Sequence, residues 1–211
     1  MKRTFRALAV AAAASVATAG FLAASAHADA PAGTFEVDYD ASGTSTLKSS
    51  GATVDLGPAT LKAYISNSGD GSLTGDLALP PASTTFNALG LVPVSATVTF
   101  VPSGQFAGQM SSQPPLTISA HVDYSLKLSD VTVGGVPTPV GDSCQTVDPV
   151  SIDAATPDGQ TFDVTDGGEL VGTYTVGQFA HCGLMTPTIN LLVPGSGNTV
   201  DFELSNGRFV A

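Results

Sequence analysis

The chain has no tryptophan, only two cysteines and few basic residues. Its 211 residues include 7 Lys and Arg against 18 Asp and Glu, which gives a formal net charge of −11. Nucleic-acid binding needs clusters of Lys and Arg that replace counterions, and electrostatic attachment to anionic lipid needs a basic segment. The composition therefore argues against both functions. Two cysteines are also too few for a zinc ribbon or a disulfide-dense mini-protein.

The first 28 residues have the organisation of an export signal. A positive stretch, KRTFR at 2–6, is followed by an uncharged, alanine-rich run over residues 7–28. That run ends in Ala26-His27-Ala28, the small-x-small pattern that a signal peptidase cleaves. We expect a cleavable signal helix at 1–28, with cleavage before Asp29. A retained membrane anchor is the alternative.

Cleavage would leave a mature chain, residues 29–211, of 211 − 28 = 183 residues. Four of the seven cations and all the acids would remain, so its net charge would be 4 − 18 = −14. No second long apolar run follows, so we expect no transmembrane segment in the mature chain. The predicted location is extracellular or at the cell surface.

Cys144 and Cys182 fit an exported chain. An even number of cysteines in an oxidising compartment predicts one disulfide between them. The bridge would close a loop of 39 residues, counted inclusively. Loop-closure entropy gives it a stabilisation of about 4 kcal/mol. A reactive or metal-binding thiol pair is the alternative.

Apolar residues in the mature chain recur every second position. The longest alternating run extends from Leu116 to Leu128 and predicts a long, half-buried strand. Shorter runs are separated by turn formers such as the Asn, Asp and Gly residues at 67–71. No apolar stripe at helical spacing follows the signal. The pattern predicts an all-β, antiparallel β-sandwich, with a β-barrel as the alternative. The shorter runs begin at Phe35, Leu73, Val94, Leu170 and Val200.

Short motifs recur along the chain in the same order. VDY at 37–39 recurs at 122–124, and LTG at 73–75 is echoed by LVG at 170–172. LVP at 91–93 recurs at 192–194, and VTF at 98–100 is echoed by VDF at 200–202. The offsets are 85, 97, 101 and 102 residues, and their order favours two related halves, about 30–112 and 116–211. We expect one body in which the two halves bury apolar surface against each other.

No catalytic constellation is complete in the sequence. His121 and His181 lack a G-x-S-x-G nucleophile elbow, and the S-x-x-K pattern that begins at Ser45 lacks its partner motifs. The pairs Asp38/Asp40 and Asp201/Glu203 have the i, i+2 spacing that places two carboxylates on one strand face. Without tryptophan to stack sugars, we interpret them as a solubilising acidic surface. We therefore predict no catalytic residues and no enzyme.

Calcium is the ionic alternative. Carboxylate and amide oxygens lie in or beside glycine-rich turns, and calcium prefers such hard oxygen ligands. The same residue types are common in turns without a metal, and no D-x-D-x-D-G loop is present. We predict no metal or other cofactor and keep a calcium-stabilised protein as an alternative. The candidate ligands are Asn67, Asp70, Asp158, Asp163, Asp166 and Glu169.

An apolar segment near the C-terminus differs from the other connections. It extends from Leu184 to Val193, is punctuated by proline, and includes Leu191 and Leu192. Apolar connections usually complete a core, so we expect a loop that covers one end of the sheet. The alternative is a partner-binding patch.

Six motifs occur as glycine-rich and strand-edge segments: LGPATL at 56–61, LTGDLALPP at 73–81, VGDSC at 140–144, GGELVGTYT at 167–175, CGL at 182–184 and LLVPGSGNT at 191–199. Together they resemble a group of actinobacterial secreted proteins of uncharacterised function. The resemblance spans most of the mature chain and implies export, a β-rich fold and one disulfide, with no catalytic residues to transfer. With the residue patterns it leads us to expect a secreted or cell-envelope, non-enzymatic interaction or structural module of unknown ligand. Its partner would be an envelope component or a protein; a calcium-stabilised protein or a hydrolase using acidic residues are alternatives.

Overall fold

The computed structural model describes residues 30–88 and 90–210. The predicted signal helix, with Ala26, Ala28 and Asp29 at its cleavage site, lies outside these residues. Within the described ranges, neither the α-helix nor the 3-10 turn has the length and apolarity that a membrane-spanning helix requires.

Strands make up most of the described chain. The first six are β1 (Thr34–Leu47), β2 (Ala52–Ser66), β3 (Ser72–Leu77), β4 (Ala82–Ala88), β5 (Val92–Pro102) and β6 (Phe106–Met110). The others are β7 (Ile118–Val133), β8 (Val136–Pro137), β9 (Gln145–Thr146), β10 (Val150–Ala155), β11 (Gly167–Val176), β12 (Phe179–Ala180) and β13 (Gly195–Val210). A 3-10 turn (Gly183–Met185) leads into the helix α1 (Thr186–Leu192).

Eight strands close into an antiparallel barrel. Their order is β1-β2-β3-β6-β7-β10-β11-β13, and the pairing of β13 with β1 completes the ring. The all-β antiparallel class is therefore confirmed, whereas the described residues do not show a β-sandwich. Alternating apolar residues fill one face of a strand in either architecture, so the pattern alone does not distinguish them. Within this ring, β7 pairs with β10 from Val150 opposite Tyr124 to Ala155 opposite Ser119.

The eight barrel strands divide equally between the two sequence halves. β1, β2, β3 and β6 come from the first half, and β7, β10, β11 and β13 follow each other around the ring in the same way. Two buried tyrosines mark a reciprocal arrangement. Tyr39 Oη donates to Val164 O at 2.8 Å, and Tyr124 Oη donates to Leu77 O at 2.7 Å. The relationship between the two halves stays a prediction. Two related halves would exchange equivalent hydrogen bonds in this way.

One side of the barrel has small residues in register across four strands. Gly108 lies opposite Ala120, Ala120 opposite Ala154, and Ala154 opposite Gly172. A Cβ atom at Gly172 would lie 2.0 Å from Asp153 O, and one at Gly108 would lie 2.8 Å from Ser119 O. Both glycines are required because the neighbouring backbone lies where a side chain would begin.

A second layer extends from one end of the barrel. β5 pairs with the C-terminal half of β7 and with β4, beyond the point where β6 pairs with β7. β4 lies beside the start of β2, where Thr84 Oγ1 donates to Thr53 O at 2.8 Å. The long strands therefore contribute to two apolar interiors, one inside the barrel and one beneath the β4–β5 hairpin.

The disulfide between Cys144 and Cys182 is confirmed, and both cysteines are buried. It lies beside the short pairing of β9 with β12. Because Cys182 immediately precedes the 3-10 turn, the bridge fixes the start of the segment that leads into α1. The segment predicted as a loop from Leu184 to Val193 is therefore a turn and a helix.

Candidate functional site

The predicted interaction residues lie at an apolar pocket beneath α1. Leu191, Leu192 and Val193 line it, and Leu184 is next in sequence to the lining residue Met185. We call this cavity the α1 pocket; its volume is about 280 Å³. That volume approaches the range of roughly 300–1,000 Å³ that is typical of small-molecule sites. Its other lining residues are Leu47, Ser50, Ala52, Thr84, Phe86, Ala88, Val92, Val94, Ala96, Val98, Leu128, Val131, Val133, Thr188 and Ile189.

A β-bulge shapes the sheet wall of the α1 pocket. Along β7 the lining residues change from even to odd numbers between Leu128 and Val131. Asp130 has a φ of 51° there, and the pairing with β5 shifts register between Ser95 and Thr97. A bulge inserts one extra residue and redirects the following side chains. It therefore keeps Val131 and Val133 on the pocket side of β7.

Hydrogen bonds hold α1 over the pocket. Asn190 Nδ2 donates to Phe179 O at 2.9 Å, and Asn190 Oδ1 accepts from Phe179 N at 2.7 Å. At the other end, Ser49 Oγ donates to Val193 O at 3.1 Å. With the disulfide these contacts anchor a helix that is too short to be stable alone.

The lining of the α1 pocket offers little polar chemistry. The lining residues that the structure describes are uncharged, and three of them are alanines, which leave the space open. Thr84 uses its hydroxyl hydrogen for Thr53 O, and Ser50 Oγ accepts from Ala52 N at 3.3 Å. This arrangement can hold an apolar group by dispersion and desolvation. Its polar side chains are those of Ser50, Thr84 and Thr188, and no ionisable side chain is among the described lining residues.

The barrel interior holds a smaller apolar cavity of about 100 Å³. It lies against side chains such as Met110, Val122 and Ile152. A cavity of about 150 Å³ is known to admit a molecule the size of benzene. The barrel cavity is smaller than that, so we interpret the interior mainly as a packed core.

His121 lies on the outer barrel wall. Of the two candidate histidines, it is the one with carboxylate neighbours among the described residues. His121 Nδ1 lies 2.7 Å from Asp153 Oδ1, and its Nε2 lies 3.6 Å from Asp123 Oδ1. These groups and Asp201 line or border a shallow groove in the wall. Ser151 Oγ donates to Asp123 Oδ1 at 2.6 Å, so this serine hydroxyl serves a carboxylate instead of the imidazole. The group forms a surface ion pair and does not form a Ser-His-Asp triad.

The hydrogen bond with Asp153 raises the pKa of His121 above its ordinary value of 6.5. A raised pKa in the folded state stabilises the protein below pH 6.5, and this contribution is lost as the pH rises through the raised value. We expect an NMR titration of His121 to have its midpoint above 6.5, and Asp153→Asn to lower that midpoint. The pair is exposed, so its effect on the unfolding free energy should stay below about 1 kcal/mol. A wild-type midpoint at or below 6.5 would contradict the pairing.

The carboxylate pairs considered for hydrolysis have other surroundings. Arg208 Nη2 lies 2.7 Å from Asp40 Oδ1, and the Arg208 hydrogen bond lowers the pKa of Asp40. A general acid in glycoside hydrolysis needs a raised pKa. Asp38 lies opposite both Lys62 and Arg208 in the sheet, although these cations form their ion pairs with Glu36 and Asp40. Asp201 and Glu203 are exposed on the outer wall.

Three of the six calcium candidates accept hydrogen bonds from nearby protein groups. Asp70 Oδ1 accepts from the backbone and hydroxyl of Ser72, and Asp163 Oδ1 accepts from Thr165 in the same way. Gln160 Nε2 donates to Glu169 Oε2 at 2.7 Å. Among residues 30–88 and 90–210, no three His, Cys, Asp or Glu side chains are arranged to hold a metal ion. The structure therefore does not bring the predicted ligands together.

The two remaining sequence candidates are Ser45 and His181. Ser45 is buried and shares a hydrogen bond with the Tyr174 hydroxyl, so its S-x-x-K spacing does not present it as a nucleophile. His181 is exposed beside the disulfide and has a φ of 59°.

Comparison with known protein families, with curated proteins and with solved structures gives no match to this chain.

Proposed function

We propose that this protein is a secreted or cell-envelope binding protein without enzymatic activity, and that it holds a small apolar ligand in the α1 pocket. The observation that carries the proposal is the pocket itself, an uncharged cavity of about 280 Å³ beneath an anchored helix. The export signal and the disulfide support the location, because bridged proteins persist in oxidising compartments.

The open volume supports a binding role. Apolar interiors are normally close-packed, and unfilled volume costs stability. Here Ala52, Ala88 and Ala96 occupy lining positions where larger side chains would reduce the cavity. An apolar ligand would restore the dispersion contacts that the alanines leave unmade.

The alternatives have less support. A calcium-stabilised protein would need several carboxylates around one point, but Asp70 and Asp163 are held by turn hydrogen bonds. A hydrolase using acidic residues would need a carboxyl group with a raised pKa in a cleft, but the pKa of Asp40 is lowered. The uncharged α1 pocket favours binding over either function.

Filling the α1 pocket should weaken ligand binding. We expect the fluorescent probe N-phenyl-1-naphthylamine to bind the wild-type protein and to be displaced by n-alkanols. Ala96→Phe places an aromatic ring in the cavity and should weaken probe binding at least about tenfold, which corresponds to about 1.4 kcal/mol. The measurement is a fluorescence titration, with a thermal melt to show that the variant is folded.

Ala107→Phe is the matched control, because Ala107 is exposed on the outer barrel wall. It should bind the probe like the wild type. Leu192→Ala enlarges the pocket and should increase the affinity for longer alkanols relative to shorter ones. Equal probe binding by wild type and folded Ala96→Phe would refute the proposed site.

A further inference from the structure

The three most exposed large apolar side chains of the described chain border the α1 pocket. Leu184 is 98% exposed, Leu91 84% and Leu191 78%. Leu191 lines the pocket, while Leu91 and Leu184 are next in sequence to its lining residues Val92 and Met185. Exposed apolar side chains that cluster around a cavity indicate a contact surface. We call these three residues the mouth leucines.

The segments that carry the mouth leucines contain no Asp, Glu, Lys or Arg. Residues 77–120 include Leu91, and residues 170–200 include Leu184 and Leu191, and both ranges lack these four residue types. The remainder of this acidic chain has 18 carboxylates. Because neither segment carries one of these groups, insertion of its leucines into an apolar layer does not require burying a charge of that segment.

We propose that the mouth leucines insert into a bilayer of zwitterionic lipid, and that the α1 pocket receives an acyl chain from it. This inference rests on the proposed function, because it supplies the ligand of the same pocket. Insertion needs no basic patch when apolar side chains provide the free energy. The net charge of −11 makes strongly anionic membranes unfavourable.

The placement of the mouth leucines favours a bilayer over a folded partner. Leu91 lies in the turn between β4 and β5, Leu184 in the 3-10 turn and Leu191 on α1. A protein interface combines its apolar centre with a rim of hydrogen-bonding and charged groups. Separate leucines that project from two turns and a short helix in uncharged segments match a fluid apolar layer better.

Vesicle sedimentation tests the inference, using protein purified after export whose N-terminus has been checked by mass spectrometry. Wild-type protein should bind phosphatidylcholine vesicles to the same extent at low and high salt, because apolar insertion is not screened. The triple variant Leu91→Ser, Leu184→Ser and Leu191→Ser should bind at least about tenfold more weakly. A control triple variant, Val147→Ser, Val171→Ser and Phe209→Ser, removes exposed apolar side chains elsewhere and should bind normally.

Each outcome separates the two proposals. Probe binding by the wild type without vesicle binding would overturn the bilayer inference and leave the proposed function standing. If the wild-type protein bound neither the probe nor the vesicles, both the proposed function and the bilayer inference would be overturned. Vesicle binding that the mouth-leucine variant retains would also overturn the inference. So would self-association in sedimentation velocity that the same variant abolishes, because the mouth would then contact a second copy of the chain.

Discussion

Replacing Cys144 and Cys182 with alanine lowers the free energy of unfolding by about 4 kcal/mol. The bridge closes a loop with a sequence separation of 38 residues, and its loss restores the conformational freedom of that loop in the unfolded chain. The loop contains β9, β10, β11 and β12, and two of these four strands, β10 and β11, belong to the barrel. Urea unfolding followed by circular dichroism measures the change.

Reduced wild-type protein is the control for packing. It keeps both sulfur atoms, which are buried, and lacks only the covalent bond. We expect it to lose most of the stability that the alanine variant loses. A loss below about 1 kcal/mol in both samples would contradict the role of the bridge.

Gly172→Val should destabilise the protein by about 3 kcal/mol, the upper end of the range for overpacking, or prevent folding. A Cβ atom at Gly172 would lie 2.0 Å from Asp153 O and 3.1 Å from Ala154 Cα. Both are backbone atoms of β10, so they can move only if the pairing that helps close the barrel is disturbed. Chemical unfolding, or the yield of soluble protein if none folds, gives the result.

Gly177→Val is the matched control for this substitution. Gly177 follows β11, is exposed, and no atom lies within 4 Å of its Cβ position. Its valine variant should change the unfolding free energy by no more than about 0.5 kcal/mol. Equal effects of the two substitutions would show that close strand packing at Gly172 is not required.

The alternating pattern predicts six of the strands, because each of them buries one side. β7, with Tyr124 and Leu126 buried, follows the predicted run closely, and β1, β3, β5, β11 and β13 coincide with the shorter runs. β2 was not predicted as one strand. Its buried residues are even-numbered up to Leu56, the odd-numbered residues are buried from Leu61 to Ile65 with Tyr64 buried as well, and the pairing with β1 shifts register between Ala41 and Gly43. Such an irregularity reverses the alternation, so a single period does not describe the strand.

Barrel closure and α1 could not be predicted from local patterns. Closure depends on β7 pairing with both β6 and β10, and local alternation contains no information about that choice of neighbours. α1 has seven residues, fewer than the length over which helical periodicity becomes detectable. The two sides of α1 become distinct only where the helix packs on the sheet, because Ile189 is buried there and Leu191 is exposed.

The candidate site was predicted in part. The composition of the segment from Leu184 to Val193 indicated an unusual apolar connection, and that segment borders the α1 pocket. The opposite wall was missed, because Val94 and Val98 resemble ordinary core residues in the sequence. Leu91 was missed because a single exposed leucine in a turn has no periodicity. Only the three-dimensional arrangement brings Val94 and Val98 to the same cavity as the segment from Leu184 to Val193.

The most direct test of the α1 pocket as a ligand site is NMR of methyl-labelled protein with a bound n-alkanol. Intermolecular nuclear Overhauser effects should connect the alkyl chain to the methyl groups of Val94, Leu128 and Ile189, which line the pocket. No such effects should reach Val122 and Ile152 in the barrel cavity. Contacts confined to the barrel methyl groups, or none at saturating alkanol, would contradict the account.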